Sequence, residues 1–139
     1  MTDICVDYVS GKQFRGEGSS EFPTVIDAPT TFGGEGLGAS PMELMLMSIA
    51  SCSGMDIVSI LEKRRIHFDS FQISVSAEQA PEDPKVFTKI ELTYRFKGDA
   101  LSKDSIDKTI NLVLDKYCSV AVMIKQAATL TYRLVLDSR

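Results

Sequence analysis

Residues 40–63 read SPMELMLMSIASCSGMDIVSILEK, and this stretch decides the fold. Ser40 is a good helix cap, Pro41 suits the first helical position, and Glu43 completes a Ser-x-x-Glu capping box. Apolar side chains then occupy almost every face, and a helix that is apolar all round is normally buried. We therefore predict a central, buried helix from Pro41 to about Lys63. Small residues surround Cys52 in its middle and permit close approach of another backbone.

The segments on both sides of this helix alternate between apolar and polar residues, as β-strands do. The alternation predicts strands at 4–8, 13–16 and 24–27 before the helix, and at 71–77, 86–96 and 130–136 after it. The strands at 71–77 and 86–96 form an antiparallel pair across a two-proline connection. Ser102 or Asp104 caps a second helix that ends or bends at Cys118, and Ser119 caps a short continuation through Gln126. The order βββ-α-ββ-α-(α)-β indicates an α+β fold in a single domain, residues 1–139.

Composition excludes several classes of function. The net charge of −4 argues against a nucleic-acid partner held through phosphates. Residues 1–8 lack the basic start of a secretory signal, and Glu43, Asp56 and several serines interrupt the longest apolar stretch, which makes it a weak membrane candidate. Three cysteines, an odd number, point to a reducing compartment. We therefore expect a cytoplasmic protein.

Two of the cysteines suit thiol redox chemistry. A thiolate can reduce a peroxide and become a sulfenic acid, which a second thiol within reach converts to a disulfide. Cys52 and Cys118 are 66 positions apart, so only the fold can bring them together. Cys52 lies too far along its helix to gain from the helix dipole, and burial alone would make it inert. A cationic or hydrogen-bonding neighbour is therefore required if Cys52 is the nucleophile, and Arg15, oriented by Glu43, is our candidate.

Two motifs around these cysteines resemble the OsmC/Ohr family of thiol-dependent hydroperoxide reductases. The first is the run 36–44 followed by 49–56, GLGASPMEL and IASCSGMD; the second is 116–120, KYCSV. They stand in the family's order, on matching elements, and the likeness covers nearly the whole chain. The wording of both motifs is similar to the OsmC-like branch of the family.

The resemblance implies an α+β fold built as an intertwined homodimer, with antiparallel sheets around two central cysteine-bearing helices. It implies a reactive cysteine at Cys52, a resolving cysteine at Cys118, and active sites at the dimer interface. Members of the family reduce organic hydroperoxides, some with lipoyl dithiols as electron donors. The resemblance thus implies no bound cofactor, but a small hydroperoxide and an external dithiol as partners.

One motif departs from the family pattern. Ohr and OsmC proper carry a Glu directly after the proline, where it pairs with the active-site Arg. Here that position is Met42, and Glu43 follows one residue later. One residue turns a side chain by about 100° around a helix, so Glu43 has a second interpretation as a helix cap only.

Other signals have plainer interpretations. Gly34, Gly36 and Gly38 hint at a phosphate-binding loop, but the spacing is incomplete, so a flexible chain crossing near a dimer partner is favoured. His67 is the only histidine, and we expect it on the surface. Cys5 lies in a strand and is interpreted as structural. No grouped His/Cys pattern supports a metal.

Three hypotheses therefore stand. The first is a homodimeric thiol-dependent hydroperoxide reductase. The second is a small-ligand binding or redox-sensing protein of the same fold with little peroxidase turnover, motivated by the displaced carboxylate of Glu43. The third takes Cys52 and Cys118 as inert core residues, because free cysteine is usually a small buried hydrophobe.

Overall fold

The computed structural model describes residues 1–138 and has the predicted α+β class. The chain forms two compact units, the first from Met1 to Met47 and the second from Ser48 onward. A long helix begins in the first unit and continues into the second. The elements are β1 Cys5–Ser10, β2 Gln13–Glu17, β3 Thr24–Ile26, a 3-10 turn Thr30–Phe32, α1 Pro41–Lys63, β4 Ser70–Gln79, β5 Phe87–Lys97, α2 Lys103–Leu112, a π-helical turn Val113–Tyr117, α3 Ser119–Lys125 and β6 Thr129–Asp137.

The first unit contains a three-stranded antiparallel sheet in the order β1-β2-β3. Gly11 makes the turn between β1 and β2 at a φ of 53°, a conformation that glycine adopts without strain. Tyr8 pairs with Phe14, and Arg15 pairs with Val25 across the next ladder. All six side chains of β1 are exposed, Cys5 included.

The second unit contains the sheet β4-β5-β6, which corrects one part of the prediction. β4 and β5 pair antiparallel, as expected, but β6 runs parallel to β5, so this sheet is mixed. The reason lies in the connection. Parallel neighbours require a crossover of a dozen or more residues, and the segment from α2 to α3 provides one.

The core of the second unit lies between the inner face of this sheet and the helices. Alternate residues of β5 point inward and are fully or almost fully buried, namely Ile90, Leu92, Tyr94 and Phe96. Burying a side chain of this kind stabilises the fold by about 1.5–3 kcal/mol. The Phe71 and Phe96 rings stack with centroids 4.0 Å apart. A Cβ on Gly54 of α1 would lie 2.8 Å from Ile73 Cδ1, so the small residue lets the helix approach β4.

Helix α1 begins as predicted, but it is not buried all round. Ser40 Oγ accepts the Glu43 N–H at 3.2 Å, the capping bond expected from the sequence. The buried positions, however, lie on one face, namely Ile49, Ser53, Gly54, Ile57 and Leu61. Met45, Met47 and Met55 are 47%, 53% and 69% exposed. Among helices within residues 1–138, α1 also has the length and hydropathy of a membrane span, a test that core helices of soluble proteins pass as well.

Candidate active site

Cys52 lies in the middle of α1, at the border between its buried and exposed faces. The side chain is half-buried and the thiol is free. The next two residues, Ser53 and Gly54, are buried against the sheet. Because consecutive helical residues point about 100° apart, Cys52 faces away from the centre of that contact. It is therefore open to a small molecule on one side.

Cys118 is positioned by an irregular piece of helix. The π-helical turn Val113–Tyr117 precedes it, and the Cys118 N–H donates to the Val113 carbonyl at 2.8 Å, five residues back. Such turns add one residue to a helix and are frequent at functional sites. Cys118 itself is extended, with φ −77° and ψ 103°, and its side chain is fully buried. The helix thus ends just before the cysteine, as predicted.

The Cys118 sulfur also caps the next helix, a role that the sequence analysis assigned to Ser119. Cys118 is the N-cap of α3, and its Sγ accepts the Ala121 N–H at 3.3 Å. Ser119 is instead the first residue inside the helix. The prediction chose Ser119 because Ser is a far commoner cap than Cys. The π-helical turn before Cys118 moves the cap one residue back, from Ser119 to Cys118.

The structure brings the two cysteines close together. Cys52 lies near enough to Cys118 to raise the pKa of the Cys118 thiol. The pKa of Cys118 is raised to about 11, mainly by burial and also by Cys52, and the N–H groups of Ala121 and Val120 only partly oppose this. At neutral pH Cys118 therefore keeps its proton.

A buried hydroxyl pair next to the sulfurs was missed by the sequence analysis. The Tyr94 hydroxyl donates to Ser53 Oγ at 2.7 Å, and Ser53 Oγ donates to the Ala50 carbonyl at 3.1 Å. Burial is the main cause of the strongly raised pKa of Tyr94, and charge on Cys118 raises it further. The available signal was a phenol on the inward face of an apolar strand, since a buried hydroxyl needs a partner.

Arg15 and Glu43 belong to the first unit, whereas both cysteines of the pair belong to the second. Arg15 on β2 forms an ion pair with Glu17 at 3.5 Å, and both side chains are 51% exposed. Glu43 lies in the first turn of α1, where its backbone N–H donates to the capping Ser40 Oγ. The Arg15–Glu43 pairing stays a prediction, as do the roles of the two residues.

The carboxylate of Asp27 holds the glycine-rich loop of the first unit in place. Asp27 is 2% exposed, and its carboxylate accepts the N–H groups of Ala28, Glu35 and Leu37 at 2.7, 3.2 and 3.1 Å. These bonds, that of Leu37 foremost, lower the pKa of Asp27. Two of the loop N–H groups that a phosphate would need are thus already occupied by a carboxylate, which argues against the phosphate-loop interpretation.

Two minor predictions have clear outcomes. His67 is exposed, as expected. Cys5, interpreted as structural, is exposed, and its thiol lies 3.9 Å from an Asp7 carboxylate oxygen.

Comparison with known proteins identifies the family of the chain. Residues 33–133, which include Glu43, Cys52 and Cys118 but not Arg15, match the family described as OsmC-like protein. Protein YhfA of Escherichia coli K12 is 35% identical over 128 residues, which cover 91% of this chain and 92% of that protein.

Solved structures agree with this assignment. A hypothetical protein from Aquifex aeolicus is 27% identical with a TM-score of 0.87, over 100% of this chain and 98% of that one. An organic hydroperoxide resistance protein OsmC from Legionella pneumophila shares the fold with a TM-score of 0.73 at 14% identity, over 97% and 96% of the two chains. The chain belongs to the OsmC-like family.

Proposed function

We propose that this protein reduces organic hydroperoxides by a two-cysteine mechanism. The Cys52 thiolate attacks the outer peroxide oxygen, the O–O bond breaks, and the alkoxide leaves and takes up a proton as an alcohol. Cys52 is then a sulfenic acid. The Cys118 sulfur attacks the Cys52 sulfur, which forms the disulfide and releases water. An external dithiol reduces this disulfide by thiol–disulfide exchange and becomes a disulfide itself.

The observation that carries the proposal is the proximity of the two thiols. Their residues are far apart in sequence, yet Cys52 lies near enough to Cys118 to raise the pKa of the Cys118 thiol. A sulfenic acid formed on Cys52 would therefore have its resolving thiol at hand. A disulfide also requires the two cysteines to lie close together, because its geometry tolerates only a narrow range of distances between them.

Exposure and protonation support the division of roles between the two cysteines. Cys52 is half-buried and accessible to a small molecule, whereas Cys118 is fully buried. The proton stays on Cys118, whose pKa is raised to about 11 mainly by burial. The accessible sulfur therefore suits the attack on the peroxide, and the protonated, enclosed sulfur suits the second step.

The family supports a peroxide-related redox role in general terms. The Legionella pneumophila structure that shares this fold is named an organic hydroperoxide resistance protein. The name of the 35%-identical Escherichia coli relative states no activity. The choice of an organic hydroperoxide as substrate is therefore ours and rests on this family likeness.

We keep Arg15 as the cation that favours loss of the Cys52 proton, with Glu43 as its orienting carboxylate. Arg15 would have to leave its ion pair with Glu17, which joins two half-exposed side chains at 3.5 Å. Exposed pairs of this kind contribute about 0–1 kcal/mol, so the exchange costs little.

We also propose that the protein is a homodimer. Large apolar side chains are exposed in both units of the single chain: Tyr8 at 63% in the first, and Met55 and Met123 at 69% and 64% in the second. Apolar side chains mark an interaction surface where they form a contiguous patch, and we propose that a second copy covers these. A second copy is the partner that the intertwined family fold implies, and sedimentation equilibrium at micromolar concentration tests it. A monomeric mass would refute this part of the proposal.

The remaining partners follow from the chemistry. A dithiol, lipoyl-type or similar, supplies the two electrons of each turnover, and no bound cofactor takes part. The net charge of −4 gives no support to a nucleic-acid partner. We place the protein in the cytoplasm, without a membrane partner, where the thiols stay reduced between turnovers.

The experiment compares three serine variants with the wild type. Peroxide consumption is followed with cumene hydroperoxide and dihydrolipoamide. With the dithiol present, we expect no turnover from Cys52→Ser and full turnover from the matched control Cys5→Ser. Without the dithiol, we expect Cys118→Ser to consume one equivalent of peroxide and to hold Cys52 as a sulfenic acid. Full turnover by Cys52→Ser would refute the mechanism. Wild-type protein that is oxidised once and then stops would favour the sensor or ligand-binding alternative.

A further inference from the structure

Tyr94 stands beside both elements that carry the cysteine pair. It lies on the inner face of β5, fully buried, and its hydroxyl donates to Ser53 Oγ at 2.7 Å. Ser53 directly follows Cys52 on α1 and is also fully buried. Tyr94 is also close enough to Cys118 for charge on that sulfur to disfavour ionisation of the phenol.

The hydroxyl of Ser53 both accepts and donates a hydrogen bond. It accepts from Tyr94 and donates to the Ala50 carbonyl at 3.1 Å. A hydroxyl that both donates and accepts in a buried site has a defined orientation, and breaking either bond leaves a polar group unsatisfied. The bond to Tyr94 therefore links α1 to β5 at Ser53. Cys52, the preceding residue, points about 100° away from Ser53 around the helix axis.

The phenol itself is held by its ring. The Tyr94 ring contacts Tyr132 edge-on with centroids 6.0 Å apart and Phe71 at 6.1 Å. Aromatic contacts of this kind restrict the ring. Gly54 adds a second constraint, since its missing side chain lets α1 approach Ile73. The sheet thus contacts α1 at the two residues that directly follow Cys52.

We propose that Tyr94 and Ser53 are positioning residues for the cysteine pair: their buried hydrogen bond holds α1 in the rotation that keeps the Cys52 and Cys118 sulfurs within bridging reach. Disulfide geometry makes such a device useful, because the Cβ atoms must come to about 3.5–4.5 Å with a defined dihedral angle. The inference deepens the proposed function, and it rests on that function only for the use made of the pair.

The test measures how strongly the fold favours the Cys52–Cys118 disulfide. Protein carrying Cys5→Ser is equilibrated with mixtures of reduced and oxidised glutathione, and the intramolecular disulfide is quantified by mass. Tyr94→Phe removes the hydroxyl and keeps the ring, and Ser53→Ala removes its acceptor. We expect each to lower the equilibrium constant for disulfide formation about tenfold, which raises the reduction potential by about 30 mV. The double variant should be no worse than either single variant.

Tyr132→Phe is the matched control. It removes another phenol hydroxyl of the same sheet, one that donates to Asp107 at 3.0 Å and accepts from Asn111 at 3.1 Å. We expect a loss of stability with a wild-type disulfide equilibrium. An unchanged equilibrium in Tyr94→Phe and Ser53→Ala, or an equal fall in Tyr132→Phe, would overturn the inference. A wild-type protein with a normal disulfide equilibrium but no peroxide turnover would refute the proposed function alone.

Discussion

Asp27 in the first unit and Cys118 in the second are both buried acids that accept backbone N–H groups, yet their pKa values move in opposite directions. The pKa of Asp27 is lowered, because its bonds to the loop N–H groups, that of Leu37 foremost, outweigh the cost of burial. The pKa of Cys118 rises to about 11, because burial outweighs the N–H groups of Ala121 and Val120.

The difference teaches how the acceptor atom decides the outcome. A carboxylate spreads its charge over two oxygens, and Asp27 receives three N–H groups at 2.7 to 3.2 Å. Charge-assisted bonds of this kind are strong. The Cys118 sulfur accepts a longer bond, at 3.3 Å from Ala121, and the nearby Cys52 raises its pKa. The first unit thus holds a permanent anion that organises a loop, whereas the second keeps a proton available for chemistry.

The largest effect on stability should follow from Asp27→Ala. It leaves the N–H groups of Glu35 and Leu37 without the acceptor that orders the glycine-rich loop. We expect a greater fall in the thermal unfolding midpoint than from any single glycine substitution. The control Asp27→Asn keeps one acceptor oxygen and should lose less. Equal midpoints for the alanine and asparagine variants would contradict the role of the carboxylate.

Asp27→Asn should also change how the stability of the protein depends on pH in the acid range. Because the folded protein lowers the pKa of Asp27 from 3.8, its contribution to stability is present above pH 3.8 and is lost as the pH falls through the lowered value. Denaturant titrations at a series of acid pH values measure this loss. The stability of Asp27→Asn should change less with pH in that window than the wild type does.

A second comparison uses one glycine from each unit. A Cβ at Gly34 would collide with the Ala28 carbonyl, which is backbone, whereas a Cβ at Gly54 would meet only the flexible end of Ile73 at 2.8 Å. We expect Gly34→Ala to cost about 3 kcal/mol of unfolding free energy. Gly54→Ala should stay within about 1 kcal/mol, because the gain in helix propensity offsets the overlap. The reverse order in urea unfolding would contradict this difference.

A smaller effect separates the two causes of the raised Cys118 pKa. In protein carrying Cys5→Ser, the ultraviolet absorbance of the thiolate should show Cys118 titrating near its value of about 11. Cys52→Ala should lower the pKa of Cys118 but leave it above the ordinary 9.0, because burial is the larger cause. A fall to 9.0 would mean that the effect of Cys52 dominates. Since the folded pKa is raised, stability should decrease as the pH rises from 9.0 to about 11.

The smallest effect concerns the cap of α3. Cys118→Ser replaces a sulfur acceptor by the oxygen that helix caps prefer, so unfolding free energy should change by less than about 1 kcal/mol. Cys118→Val keeps the shape without the acceptor and should cost about 1 kcal/mol. Thermal unfolding compares the two, and a large loss in the serine variant would show that the buried sulfur packs rather than caps.

Local chemistry made the elements predictable. The Ser40 cap, the alternation of β4 and β5, and the helix that ends before Cys118 all depend on neighbouring residues and were correctly predicted. The parallel pairing of β6 and the cap formed by Cys118 were not, because each depends on how a crossover or an irregular turn is completed. The role of Asp27 was missed for a similar reason, since the N–H groups that donate to its carboxylate lie up to ten residues away in a loop of unusual backbone.

The sequence by itself determined the order and type of the elements and pointed to Cys52 and Cys118 as the residues that matter, because capping, periodicity and motif are local properties. Only the tertiary structure decided that Cys52 and Cys118 lie near each other, that burial leaves the proton on Cys118, and that Tyr94 reaches Ser53 beside Cys52. Contact and burial are properties of the packed chain. Both depend on residues far apart in sequence, and no local pattern encodes them.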